Sequence, residues 1–142
     1  MAPGMVGGLE LALLAGSVGS FAGAMAGVLT LTGLDLSGGP EAAPAPIDRR
    51  LAAGAFLLSS HAIAAAAIWQ LPTVGSCVAA GLGAGWMGMA AAGLVGMLTR
   101  GDRILVRLAH TGGRAAIGVA LLAPLWAYVK IMQAHALPTV IA

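Results

Sequence analysis

Charges and prolines divide this chain into four long stretches that are almost wholly apolar. Inside them a helical or strand period is invisible, because nearly every position is apolar, so the elements have to be located from their interruptions. The first runs from about Val6 to Leu34, the second from Leu51 to Leu71, the third from Val74 to Leu98 and the fourth from about Gly112 to Ala134. Each reaches the roughly 20 residues that an α-helix needs to cross a bilayer. The pattern predicts an all-α integral membrane protein, one domain of four transmembrane helices in an antiparallel bundle.

The connections carry the polar residues. Asp35 to Arg50, reading DLSGGPEAAPAPIDRR, holds three prolines and three of the five acidic residues and is expected to be a solvated loop. Gln70-Leu71-Pro72-Thr73 is so short that the second and third spans must be antiparallel neighbours. Before the fourth span, Ile104 to His110 carries Arg103 at its edge and Arg107 within it, and a Gly112-Gly113 pair follows. One long helix with snorkelling arginines fits, as does a short interfacial helix with the span beginning after the glycines. The second geometry is the expectation, because it keeps Arg114 near the surface and avoids roughly 2.5–3.5 kcal/mol of cost at depth.

Composition sharpens the picture. The chain is 59% hydrophobic and 8% charged with mean hydropathy +0.95, against roughly 25% charged residues in a soluble domain. Seven Lys and Arg against five Asp and Glu give a net charge of +2. No basic run is present, which excludes nucleic acid as a partner. The first stretch has no Lys or Arg before it, unlike a secretory signal, and is read as a retained helix. Arg49, Arg50, Arg100 and Arg103 flank the first and third connections. The positive-inside bias therefore predicts non-cytoplasmic termini, with a bacterial inner membrane as the expected location. Cys77, the single cysteine, is expected to be a buried, inert thiol.

The first helix carries Gly19, Gly23 and Gly27 at every fourth position, beside a row containing Gly16 and Ser20. The third carries Gly81 and Gly85 beside Gly88 and Gly96. Small-residue rows let helix backbones approach closely in lipid, where packing must drive association. They are expected to pack helices, within the chain or against other subunits, and Gly23→Leu is expected to disrupt assembly more than the lone chain.

His61 is the one ionisable residue near mid-span and hence a candidate cofactor ligand or proton-transfer group, the ordinary alternative being a neutral, hydrogen-bonded imidazole. Ala53, Ser60, Ala64 and Ala67 are expected to share its inward face, with Phe56, Leu57, Ile63 and Ile68 facing lipid. Arg107, His110 and Arg114 form a stripe suited to lipid phosphates or an acidic neighbour. Glu10 and His135 are expected at the interface. A two-histidine haem site is disfavoured by the unequal depths of His61 and His110, and no particular cofactor is indicated. The stretch Asp102 to Thr111 resembles a histidine-bearing membrane segment of proton-translocating nicotinamide transhydrogenases, which would imply a proton path at His110. The characteristic Met-Pro pair is absent and arginines intrude.

No catalytic set, metal-spaced cluster or phosphate loop is found. The expected role is a structural or accessory subunit of a larger membrane complex or homo-oligomer, with membrane lipids and other subunits or copies of itself as partners. The alternative is a small oligomeric transporter or channel using His61.

Overall fold

The computed structural model describes residues 3–34, 46–99 and 104–136. Among the described residues there are four helices: α1 (Pro3–Thr32), α2 (Ile47–Gln70), α3 (Pro72–Thr99) and α4 (Ile104–Ala136). At 30, 24, 28 and 33 residues, they are about 45, 36, 42 and 50 Å long at 1.5 Å per residue. All exceed the roughly 30 Å hydrocarbon thickness, and all four are long and apolar enough to span a membrane. The protein is an all-α integral membrane bundle.

Helix ends follow local chemistry. α1 stops at Gly33, whose φ of 98° is open to a residue without Cβ. There Gly33 N–H donates to Thr30 O and Leu34 N–H to Leu29 O, so the paired bonds of a Schellman cap satisfy two terminal carbonyls. α2 begins at Ile47, earlier than the expected Leu51, so Asp48, Arg49 and Arg50 form its first turn and are not loop. Asp48 there is complementary to the helix dipole. The rest of the expected loop, 35–45, lies outside the described residues, as do Arg100, Asp102 and Arg103. Leu71 alone separates α2 from α3, and Pro72 opens α3 at a position where a missing N–H costs nothing.

The fourth element corrects the expected geometry: Ile104 to His110 is not a separate interfacial helix but the start of one continuous α4. Gly112 and Gly113 do not break it, since a helical glycine costs only about 1 kcal/mol relative to alanine. The adjoining Thr111 is buried against Gly93 of α3, and Arg107 Nη1 donates to Gly96 O at 3.1 Å, pinning the segment to α3.

The helices form a closed square in chain order, α1 beside α2, α2 beside α3, α3 beside α4 and α4 beside α1, with α1 and α3 touching slightly across the diagonal. Neighbours run antiparallel. Gly27 meets Gly54 and Leu58 while Gly16 meets Ile68 and Pro124, and Gly83 meets Gly118 while Gly93 meets Thr111. Described arginines Arg49, Arg50, Arg107 and Arg114 consequently gather toward one end. Trp69, Trp126 and Lys130 mark the other, where the Lys130 ammonium stands 5.6 Å over the Trp126 ring.

The interior combines an apolar cluster of Leu13, Ala26, Ile68, Ala79, Trp86 and Leu121 with buried polar groups, while many large apolar side chains face outward. Fully buried positions include Ser20, Thr30, His61 and Ser76, whereas Phe21, Phe56, Ile63, Leu98 and Leu105 lie on the outside. Lipid is as apolar as leucine, so large side chains can face outward at little cost, while polar groups must be inside and close packing must hold the helices together. Buried hydroxyls satisfy themselves locally, as in Thr30 Oγ1 to Ala26 O at 2.8 Å and Ser76 Oγ to Pro72 O at 2.6 Å. Two expectations about faces are corrected. Ile68 is fully buried and Ala53 exposed, so the inward face of α2 is rotated toward Gly54, His61, Ala64 and Ile68. Cys77 is exposed on the outside of α3, not buried.

Candidate functional site

His61 lies at the centre of the bundle, with no exposed surface. Trp86, projecting from α3, donates its indole N–H to His61 Nε2 at 2.9 Å. An indole nitrogen is a donor only, so Nε2 must be the acceptor and the proton of the neutral ring is on Nδ1. Nδ1–H then donates to Leu57 O at 2.8 Å, one turn back on α2. The rings meet edge to face, 6.1 Å between centroids and 70° between planes. On the α1 side Gly23 is stacked directly against the imidazole, and a Cβ there would overlap the ring. The helices therefore meet through three residue types with distinct tasks: glycine makes the room, histidine fills it, and tryptophan completes the hydrogen bonding.

With both nitrogens occupied, axial ligation of a porphyrin iron by His61 requires the Trp86 bond to break first. A proton relay through Nε2 has the same requirement. Trp86 was not anticipated from the sequence as a partner. Its signal was available, because an indole N–H in mid-membrane needs an acceptor and His61 offers one on the adjoining arm of the same hairpin.

The expected packing residues separate into two groups. Gly16, Gly19, Ser20, Gly23 and Gly27 are all buried within the chain. Gly16 receives Pro124, Gly19 receives Ala120 and Leu121, and Gly27 meets the α2 backbone, where a Cβ would lie 2.6 Å from Leu58 N and 2.9 Å from Gly54 O. Ser20 Oγ is buried without a hydrogen-bond partner. Gly81, Gly85 and Gly88, by contrast, have nothing within 4 Å of a Cβ and lie exposed on the outer side of α3. Within the chain α3 packs through Gly75 and Gly83 instead, and Gly96 contributes its carbonyl to Arg107. Gly54, Gly75, Gly83 and Gly118 were not singled out from the sequence, where they merge into the glycine background.

Between α1 and α4 is a cavity of ≈ 420 Å³. Its walls are formed by α1 between Ala22 and Leu29 and by α4 between Ala109 and Ile117, and Trp86 of α3 also lines it. His110 and Arg114 line it, and both are half-buried. Arg107, the third member of the expected stripe, is one turn farther toward the end of α4 and directed to α3. Glu10 is exposed, and the side chain of His135 lies outside the description. Among the described residues no group of three or more His, Cys, Asp or Glu side chains is arranged to hold a metal ion. No family model, curated protein or solved structure matches this chain.

Proposed function

We propose that this chain is a structural or accessory subunit of a larger membrane assembly, or the repeating unit of a homo-oligomer, and that it joins its neighbours through the outer face of α3. The observation carrying this reading is the division of the glycines. The rows of α1 are consumed inside the bundle, whereas Gly81, Gly85 and Gly88 leave a flat strip of backbone facing outward with open space above it. Exposed Ala84 and Ala92 continue the strip. Glycine in a helix interior costs about 1 kcal/mol relative to alanine, and a close helix partner is what offsets that cost in lipid.

The core favours this reading over conduction, because His61, the ionisable group at the centre of the bundle, is engaged by Trp86 and by Leu57. The arginine end is the cytoplasmic one under the positive-inside bias, with a bacterial inner membrane as the setting.

Native mass spectrometry after extraction in a gentle detergent tests the reading. The wild-type chain is expected in an assembly, with its own copies or with other subunits, and Gly85→Leu is expected to release it as a single folded chain. A wild-type chain that emerges alone, or an assembly whose mass Gly85→Leu leaves unchanged, would overturn it.

A further inference from the structure

Association through α3 makes no use of the cavity between α1 and α4. We infer that this cavity holds the head of a neutral, lipid-soluble ring compound of the quinone class, with His110 donating a hydrogen bond to a ring carbonyl and Trp86 beside the ring.

The cavity exists because facing positions on two helices are small. Toward the aromatic end α1 and α4 touch, Gly16 on Pro124 and Gly19 on Ala120 and Leu121. Toward the arginine end Ala22 and Ala26 on α1 and Ala109 and Gly113 on α4 leave ≈ 420 Å³ between them, within the roughly 300–1,000 Å³ of ligand cavities. A Cβ on Gly113 would meet nothing within 4 Å. Almost all of the lining is apolar, and apolar cavities stay dry and accept apolar rings.

Three lining side chains carry polar atoms, and they differ in what they offer. Trp86 has given its N–H to His61, so it presents ring carbon alone. Arg114 already has a partner in the protein, so its charge is not what the cavity offers. His110 lines the cavity and makes no hydrogen bond among the described residues, and an imidazole in either protonation state carries at least one N–H. On α4 it stands sixteen residues from Trp126, whose exposed ring marks the interface. That is about 24 Å along the axis, inside a hydrocarbon layer roughly 30 Å thick. A donor at that level needs an acceptor. An acyl chain supplies none, and it gains little by exchanging the bilayer for an equally apolar cavity. An anionic head would bring a charge that is costly at this depth. A quinone carbonyl is a neutral acceptor carried on an apolar ring, and the ring adds contact with the indole.

Trp86 provides the readout. Trp69→Phe with Trp126→Phe leaves it as the only tryptophan, and the full chain with these two changes is reconstituted in phosphatidylcholine vesicles. A benzoquinone with a decyl tail, which quenches tryptophan on contact, is expected to quench Trp86 saturably. Bromododecane, a quencher with a chain and no carbonyl, is expected to give only a loss that rises linearly with its mole fraction. Gly113→Leu, which fills the cavity, should abolish saturation by the quinone. Gly112→Leu, the same change at a neighbour that also meets open space but does not line the cavity, should leave it intact. His110→Leu should raise the half-saturating mole fraction about fivefold, the effect of one hydrogen bond. The comparison of the two quenchers uses one protein and stands even if a variant fails to fold. Linear quenching by the quinone, saturable quenching by bromododecane, equal responses to Gly113→Leu and Gly112→Leu, or an unchanged half-point in His110→Leu would each overturn the inference.

Discussion

The imidazole of His61 is held on its own helix by Leu57 O and Ser60 Oγ, and from α3 by the Trp86 N–H, at a depth where no water replaces them. Removing one partner therefore orphans the other. His61→Leu leaves the Trp86 N–H without an acceptor, and Trp86→Phe leaves Nε2 without a donor. A double-mutant cycle between the two should show a coupling of about 0.6 kcal/mol, with an upper range near 1.7, as interhelical hydrogen bonds in membranes do. Reversible unfolding in mixed micelles measures it, and strict additivity would mean the bond contributes nothing. Ser20 supplies the opposite sign. Its hydroxyl is buried with no partner, so Ser20→Ala should leave stability unchanged or raise it by up to about 1 kcal/mol, and a clear loss in the same assay would point to a bond the hydroxyl makes. Histidine at mid-span was legible because it is the one titratable residue in the apolar stretch from Leu51 to Leu71. Its partner was not, because tryptophan enters a hydropathy reading as an apolar residue and its N–H goes uncounted.

At the scale of the helix, prolines, charges and turn residues located all four spans without any periodicity. The faces stayed hidden for the same reason that made the spans obvious. Where leucine and alanine alternate with glycine and nothing is polar, only the register of small residues distinguishes inside from outside, and α1 and α3 carry similar registers with opposite outcomes. Position along the chain does not decide between them; the neighbouring helix does. On α1 a side chain at Gly23 meets His61, and one at Gly27 meets the α2 backbone. Gly23→Leu should therefore disrupt the fold of the single chain, not chiefly its assembly as the sequence pattern alone suggests. Even Gly27→Ala should cost about 1–3 kcal/mol by overpacking, since its nearest obstacle is backbone. Gly81→Ala on α3 meets open space and should leave the unfolding midpoint of the isolated chain unchanged or slightly higher. Similar losses for Gly27→Ala and Gly81→Ala would mean that α3 is rotated from the orientation described. The continuity of α4 is the other feature that local reasoning misjudged. Two adjacent glycines resemble a break, but Thr111 in the Gly93 notch and Arg107 on the Gly96 carbonyl tie the preceding segment to α3.

For the molecule as a whole, continuity of α4 determines where the ends of the chain emerge. Four antiparallel helices put the start of α1, the Leu71 corner and the end of α4 at the end with Trp69, Trp126 and Lys130. The α1–α2 and α3–α4 connections then lie at the end with Arg49, Arg50, Arg107 and Arg114. This distribution combines two independent interface signals, aromatic rings at one surface and arginines toward the other, and the orientation proposed above, with the arginine end cytoplasmic, rests on the positive-inside bias. A reporter inserted at Gly39, in the α1–α2 connection, should thus be active only in its cytoplasmic form, and one fused after Ala142 only in its exported form. An interfacial Ile104–His110 segment would give the same result, so this pair of fusions tests the number of spans and their direction, independently of the shape of α4. Both reporters on one side would mean that one of α2, α3 and α4 does not cross, whereas the two sides exchanged would preserve the bundle and reverse it in the membrane. Replacing Arg49 and Arg50 with glutamine should weaken the bias without inverting it, because the sequence still carries Arg100, Arg103 and Arg107 in and beside the α3–α4 connection. A complete inversion by that pair alone would locate the orientation signal in the first turn of α2.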